Sequence, residues 1–259
     1  MNWHKKIQKR FYQSENHPFR VYQRQIENYL HPGQVLLDAG CGRHAERLIE
    51  IGNRACKLIG VDLVEADATV LMNNIEYYKA DLTNIPIESA SVDIVISRSV
   101  MEHLAEPVKV YNEIYRVLKP GGFFVFLTPN LFDYVSLLSK TIPNKYHGFM
   151  VKLLTGREEE DTFPTYYRSN TKSQILNLSK ESNFKVVSIN FLNQDPHYFQ
   201  SVLPLYCVGV AYERLLTRFN FLQQLRGWIL SVLQKNQPQI KQQRAIDLNY
   251  AENEREFKK

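Results

Sequence analysis

Five short strand-like segments recur through the first half of the chain, with helically spaced stretches between them: "QVLLDAG" from Gln34, "KLIGVD" from Lys57, "EYYKAD" from Glu76, "VDIVISR" from Val92 and "FFVFLTPN" from Phe123. The unbroken aliphatic run in the first of these is what a strand covered on both faces requires. Ahead of it, Val21, Tyr22, Ile26, Tyr29 and Leu30 have helical spacing, and "HPG" then breaks the pattern. Ala45, Leu48 and Ile49 mark another helix face that stops at Gly52. Pro107 opens a third helix, with Val108, Tyr111, Ile114, Tyr115 and Leu118 on its inner side and "KPGG" as its end. Strands alternating with helices predict an α/β fold with a doubly wound, mostly parallel sheet. The alternation lapses at Leu131 and resumes where Thr171, with Gln174 three residues on, makes a capping-box pattern for a helix ending near Asn183. "FKVVSINFL" is a sixth strand, and "GWILSVLQK" a seventh after a helical Phe199–Phe219 region.

A chain of 259 residues that is 44% hydrophobic can bury one substantial core or two small ones. The net charge of +5 is mild and the basic residues are scattered without a nucleic-acid motif, so nucleic acid is discounted as a partner. The three cysteines, Cys41, Cys56 and Cys207, are odd in number and far apart, which gives neither a metal-ligand set nor a disulfide framework and suits a reducing cytosol. "MNWHKKIQKRFYQ" has no apolar run behind its charges, and the uncharged stretch Pro196–Ala211 is broken by Pro204. A soluble, cytoplasmic protein is the expectation.

The turn in "VLLDAGCGRHAERL" is the first chemical signal. Gly40, Gly42 and Ala45 satisfy G-x-G-x-x-G/A, a dinucleotide fingerprint, so a nicotinamide cofactor competes. Asp38 argues against it, because a carboxylate two residues before the first glycine repels a pyrophosphate. The same charge suits a ligand carrying an ammonium and a sulfonium, as S-adenosylmethionine does. Asp62 ends the second strand, where it can accept both ribose hydroxyls. Asp81 ends the third, where it can accept from the adenine amino group while Leu82 packs on the ring. Acids at the carboxyl ends of three consecutive strands are harder to obtain by chance than the glycine turn.

"VLLDAGCG", "GVDL", "ADLTNIP", "SVDIVISRSVMEHL" and "EIYRVLKPGGFFVFLTPN" resemble, in order and spacing, the class I S-adenosylmethionine-dependent methyltransferases, and most of all the small-molecule branch that includes ubiquinone-biosynthesis, sugar and lipid methyltransferases. The resemblance covers Pro32–Asn130 strongly and "YYRSNT…SNFKVVS" more loosely. It implies Asp38, Gly40, Gly42, Asp62, Leu63, Asp81 and Leu82 as cofactor contacts, with Cys41 inside the turn and Ser97 at the end of strand four beside them. It also implies an antiparallel strand seven inserted between strands five and six. The family turn often has a third glycine where this sequence has His44. The layout expected is one domain over 1–235, with a cofactor-binding core at 31–130, a substrate-covering insertion at 131–170, and helices with strands six and seven at 171–235. A polar tail at 236–259 follows.

His103 in "MEHL" is the candidate general base, since an imidazole ordinarily titrates near neutrality; Tyr166 and Tyr167 stand behind it. Arg98, beside Ser97, could touch cofactor or acceptor. "TYYR" and the lone His147 read as structural. The aromatic and aliphatic Phe199–Leu233 region, with Arg214, Arg218 and Arg226 interleaved, reads first as core helix plus strand seven or as a homodimer face, and second as an amphipathic surface for lipid or a lipid-linked acceptor. "SRSV" replaces any "NPPY"-like tetrad after strand four, which argues against methylation of adenine, glutamine or DNA amino groups. The expected reaction is methyl transfer to a small molecule, favouring oxygen, and no metal site is expected. A non-catalytic cofactor-binding scaffold is the alternative, ahead of a nicotinamide oxidoreductase.

Overall fold

A computed structural model describes residues 3–12, 14–141, 163–199 and 202–237. Strands β1 (Val35–Ala39), β2 (Lys57–Asp62), β3 (Ile75–Lys79), β4 (Val92–Arg98), β5 (Leu118–Pro129), β6 (Phe184–Leu192) and β7 (Trp228–Lys235) form one sheet in the order β3-β2-β1-β4-β5-β7-β6. Strands β3 through β5 in that order pair in parallel, whereas β7 runs antiparallel to both β5 and β6. The expected sheet, including the inserted antiparallel strand, is thus present.

Both faces of the central strands are apolar, which is why their sequences are unbroken runs. Along β1, Leu37 and Ala39 pack with Val95, Phe124 and Phe126 on one face, against α5 (Pro107–Val117) and α7 (Lys172–Glu181). Leu36, with Ile94, Ile96, Val125 and Leu127, faces the other way, against α2 (Pro18–Tyr29) and α3 (Glu46–Ile51). The remaining described helices are α1 (Trp3–Phe11), α4 (Ala68–Met72), α6 (Tyr134–Thr141) and α8 (Leu203–Arg218). Residue 38 points to the α2–α3 side by the alternation of the strand, so an acid there enters a helix-covered face rather than open solvent.

Several boundaries differ from the expectation. Helix α5 buries Val110, Tyr111, Ile114 and Val117, while Val108 and Tyr115 are only half-buried. Leu118, expected on the helix's inner side, and the "KPGG" expected to end it are the first part of β5: Leu118 pairs with Val92, and a bulge between Val92 and Ile94 absorbs the irregularity. Gly121 adopts φ +84° there, and Lys119 Nζ reaches Asp93 at 2.7 Å. Thr171 does cap α7, its Oγ1 accepting from Gln174 N at 3.2 Å, but Gln174 Oε1 accepts in return from Asn170 N at 2.9 Å, one residue earlier than in a capping box. Among the described residues of Phe199–Phe219, Leu203–Arg218 is α-helical. Tyr206, Gly209, Val210, Glu213 and Leu216 face inward and Leu205, Val208 and Leu215 outward. Among the described residues no helix is long and apolar enough to cross a membrane. Most of the expected insertion, with His147, and nearly all of the expected tail lie outside the described residues.

Candidate cofactor and acceptor site

The carboxyl ends of β1 and β2 are tied together by main-chain bonds that the glycine turn makes possible. Gly40 N donates to Val61 O at 2.8 Å and Cys41 N to the same carbonyl at 3.3 Å, so the chain folds back over β2. Gly40 and Gly42 adopt φ +80° and +71°, a region other residues rarely enter. A Cβ on Gly40 would collide with Val100, so the loop after β4 leans directly on the turn. A Cβ on Gly42 would meet nothing within 4 Å: the turn presents bare backbone to open space there. The third left-handed position is taken by Ala45 at φ +44°, not by His44. His44 instead reaches outward to Asp67, 3.1 Å away.

Asp62 is oriented from both sides. Gly42 N donates to its Oδ2 at 2.7 Å and Val64 N to its Oδ1 at 3.2 Å. Each oxygen keeps acceptor capacity for a hydroxyl. Leu63, beside it, is half exposed, while Leu82 is buried in the sheet's core, so Leu63 is the aliphatic surface available to a flat ring. Asp81 is exposed, and its Oδ1 is fixed by Thr83 N and Thr83 Oγ1, both at 2.8 Å.

Asp38 is placed differently from what its sequence position suggests. Its side chain is fully enclosed and forms a fork with Arg47, Nε to Oδ2 at 3.0 Å and Nη2 to Oδ1 at 3.3 Å. Arg47 Nη2 also donates to Gly40 O at 3.0 Å. Burial pushes the Asp38 carboxyl above its ordinary value, and the Arg47 guanidinium opposes that push. The acid therefore shapes the turn through Arg47, and its charge is matched inside the protein. Ser97 is likewise enclosed, donating from Oγ to Ala39 O at 2.7 Å. Cys41 is buried under Tyr77 and Gly60, and burial raises its thiol well above the usual range, which keeps it an inert filler.

The loop after β4 carries a polar cluster. Glu102 is buried, and Thr128 Oγ1 donates to its Oε2 at 3.3 Å. Asn170 Nδ2 donates in turn to Thr128 Oγ1 at 2.7 Å. Burial raises the Glu102 carboxyl, and the adjacent His103 opposes that. His103 Nδ1 lies 3.0 Å from Pro164 O, and a carbonyl can only accept, so Nδ1 carries the proton and Nε2 keeps the lone pair. Tyr166 N and Tyr167 N donate to Glu102 O at 2.7 and 3.1 Å, docking the 163–168 segment on this loop. Arg168 is committed to Ala105 O at 2.5 Å and to the Tyr166 ring. Arg47, Thr128 and Asn170 were not legible beforehand. No spacing rule links residue 47 to 38 or 170 to 128, since strand ends and loops bring them together.

The residues fit S-adenosylmethionine better than a dinucleotide. The Gly42 amide that a pyrophosphate would need is used on Asp62. Helix α3 is only six residues long and has Glu46 in its first turn, which disfavours an anion.

Residues 37–126 match a family model described as "Methyltransferase domain". A probable S-adenosylmethionine-dependent methyltransferase of Mycolicibacterium smegmatis is 32% identical over 170 residues, 59% of this chain and 64% of that one. Dimethylglycine N-methyltransferase of Parasynechococcus marenigrum is 33% identical over 121 residues, 44% and 43% of the two chains. The chain thus spans under two thirds of the length of these relatives. An S-adenosylmethionine-dependent methyltransferase of Mesorhizobium loti has the same fold, with a TM-score of 0.56 at 16% identity over 85% of this chain and 99% of that one. Residues 37–126 thus carry a methyltransferase domain, and the chain around it is similar to S-adenosylmethionine-dependent methyltransferases.

Proposed function

We propose that this protein transfers the methyl group of S-adenosylmethionine to a small-molecule acceptor. The observation that carries the reading is the Asp62 carboxylate fixed by Gly42 N and Val64 N beside bare backbone at Gly42, with Asp81 on the neighbouring strand end. Asp62 would hold the ribose, Asp81 the adenine edge with Leu63 against the ring, and the Gly40–Gly42 backbone the methionine portion. Asp38 and Arg47 act as positioning residues that set Gly40 O. When bound, the cofactor supplies an electrophilic methyl group, so the protein's task is to orient an acceptor in line and exclude water.

For an oxygen acceptor, His103 Nε2 takes the proton. Its neutral tautomer is set by Pro164 O. The chain is similar to an N-methyltransferase as well, so oxygen as the acceptor atom is our choice on the strength of His103, and a hydroxylated sugar, lipid-linked or secondary-metabolite acceptor is the class it suits.

The test is transfer of labelled methyl from S-adenosylmethionine into a small-molecule extract, followed by chromatography. The reading expects one labelled, alkali-stable ether. A His103→Gln variant should lower turnover about 10²-fold with little change in cofactor affinity. Cofactor binding without transfer to any acceptor would instead support a scaffold.

A further inference from the structure

A cavity of about 1530 Å³ lies between α1, α2, the end of β4 and α8. Asp62 and Asp81 are not among its lining residues, whereas Arg47, which donates to Gly40 O, is. Its lining has three unusual features. Arg98 projects from the end of β4, half-buried, with its guanidinium 4.4 Å from the Phe19 ring and with no hydrogen-bond or carboxylate partner among the described residues. A partly desolvated arginine without an acceptor costs free energy unless an anion completes it. Arg226 spends its two terminal nitrogens on the carbonyls of Phe191 and Leu216 and leaves a buried Nε unmet.

The third feature is a set of buried oxygens that also lack partners and line the same cavity: Tyr12 Oη, Asn193 Oδ1 and Glu213 Oε2. Glu213 is almost fully enclosed. Orphaned buried polar atoms are uncommon in folded proteins, and their gathering around one space marks a place that a polar molecule fills. The acids present do not cancel the arginines. Among the described residues, Arg47 is the lining arginine that has a carboxylate in salt-bridge reach, Asp38; Asp195 accepts from Gln8 Nε2 at 3.1 Å, and Glu15 and Glu50 lie exposed at the rim. Burial, with Asp133 and Asp195 adding to it, pushes the Glu213 carboxyl up to about 8, so at neutral pH it is an uncharged group able to donate to a hydroxyl.

We infer that this cavity is a binding site for a hydroxylated small molecule bearing an oxyanion, a phosphate or a carboxylate, which Arg98 binds while Tyr12, Asn193 and Glu213 take its hydroxyls.

The test is calorimetry on the full chain loaded with S-adenosylhomocysteine, titrated with glucose 6-phosphate, glucuronate and glucose. Binding of either charged sugar and not of glucose is expected, and the tighter of the two identifies phosphate or carboxylate. Arg98→Gln should weaken the charged ligand about tenfold or more while S-adenosylhomocysteine binds as before. Tyr12→Phe, a milder change, should weaken the sugar ligand a few-fold and leave inorganic phosphate unaffected. Equal binding of glucose, or no heat from either anion, overturns the inference and leaves the cofactor reading standing. Loss of S-adenosylhomocysteine binding in Arg98→Gln with the anion retained also overturns it, because Arg98 would then serve the cofactor.

Discussion

The Asp38–Arg47 fork is the residue-scale feature on which the turn depends. Taking two charges out of water is costly, and the geometry here, with both carboxylate oxygens met and Gly40 O met as well, is what offsets it. Arg47→Met keeps the volume but strands a buried carboxylate, so we expect about 3–5 kcal/mol of lost stability in urea denaturation at pH 7. A loss below about 1 kcal/mol would mean that Asp38 is not ionised in the folded protein. The sequence located the acid correctly and misjudged its partner. "DAGCG" fixes a carboxylate at a strand end, but whether that carboxylate meets a ligand or an arginine depends on which side of the pleat it occupies and on a helix nine residues away. His103 shows the same limit: its type suggested a base, whereas its tautomer comes from Pro164, sixty-one residues on.

At the scale of elements, local signals read well wherever backbone chemistry alone decides. Thr171 is such a case, an N-cap hydroxyl on a Gln174 amide. Thr171→Ala should cost about 1 kcal/mol and Thr171→Ser almost nothing, as measured by thermal unfolding; equal losses in both would show that packing of the threonine methyl matters more than the cap. Strands were legible because burial on both faces forces apolar runs, as in β1 and β4. The start of β5 was not, because "KPGG" has the chemistry of a helix stop. Pairing of Leu118 with Val92 and the bulge beyond it recruit those residues to the strand, and only the neighbouring strand supplies that information. The family resemblance, not local pattern, placed β7 between β5 and β6.

For the molecule as a whole, buried carboxyls set a pH dependence. Glu213 is pushed up to about 8 in the folded chain, while an unfolded glutamate titrates near its ordinary value of about 4.3. Between those values the native state binds the extra proton, so stability falls as pH rises, by at most about 1.4 kcal/mol per pH unit from this group. Glu213→Gln mimics the neutral form, so its stability relative to wild type should grow from pH 5 to pH 8 in denaturant titrations and level off above. A constant difference across that range would contradict the protonated carboxyl. The central claim concerns the cofactor site, the strand ends beside the glycine turn. It is tested most directly by titrating S-adenosylhomocysteine into the wild-type chain and into Asp62→Ala by calorimetry, with NAD as the competitor ligand. The account predicts saturable binding to wild type, a loss of about tenfold to a hundredfold in the variant as two ribose hydroxyls lose their acceptor, and no heat from NAD. Binding of NAD in preference, or equal affinity in the Asp62→Ala variant, would contradict it.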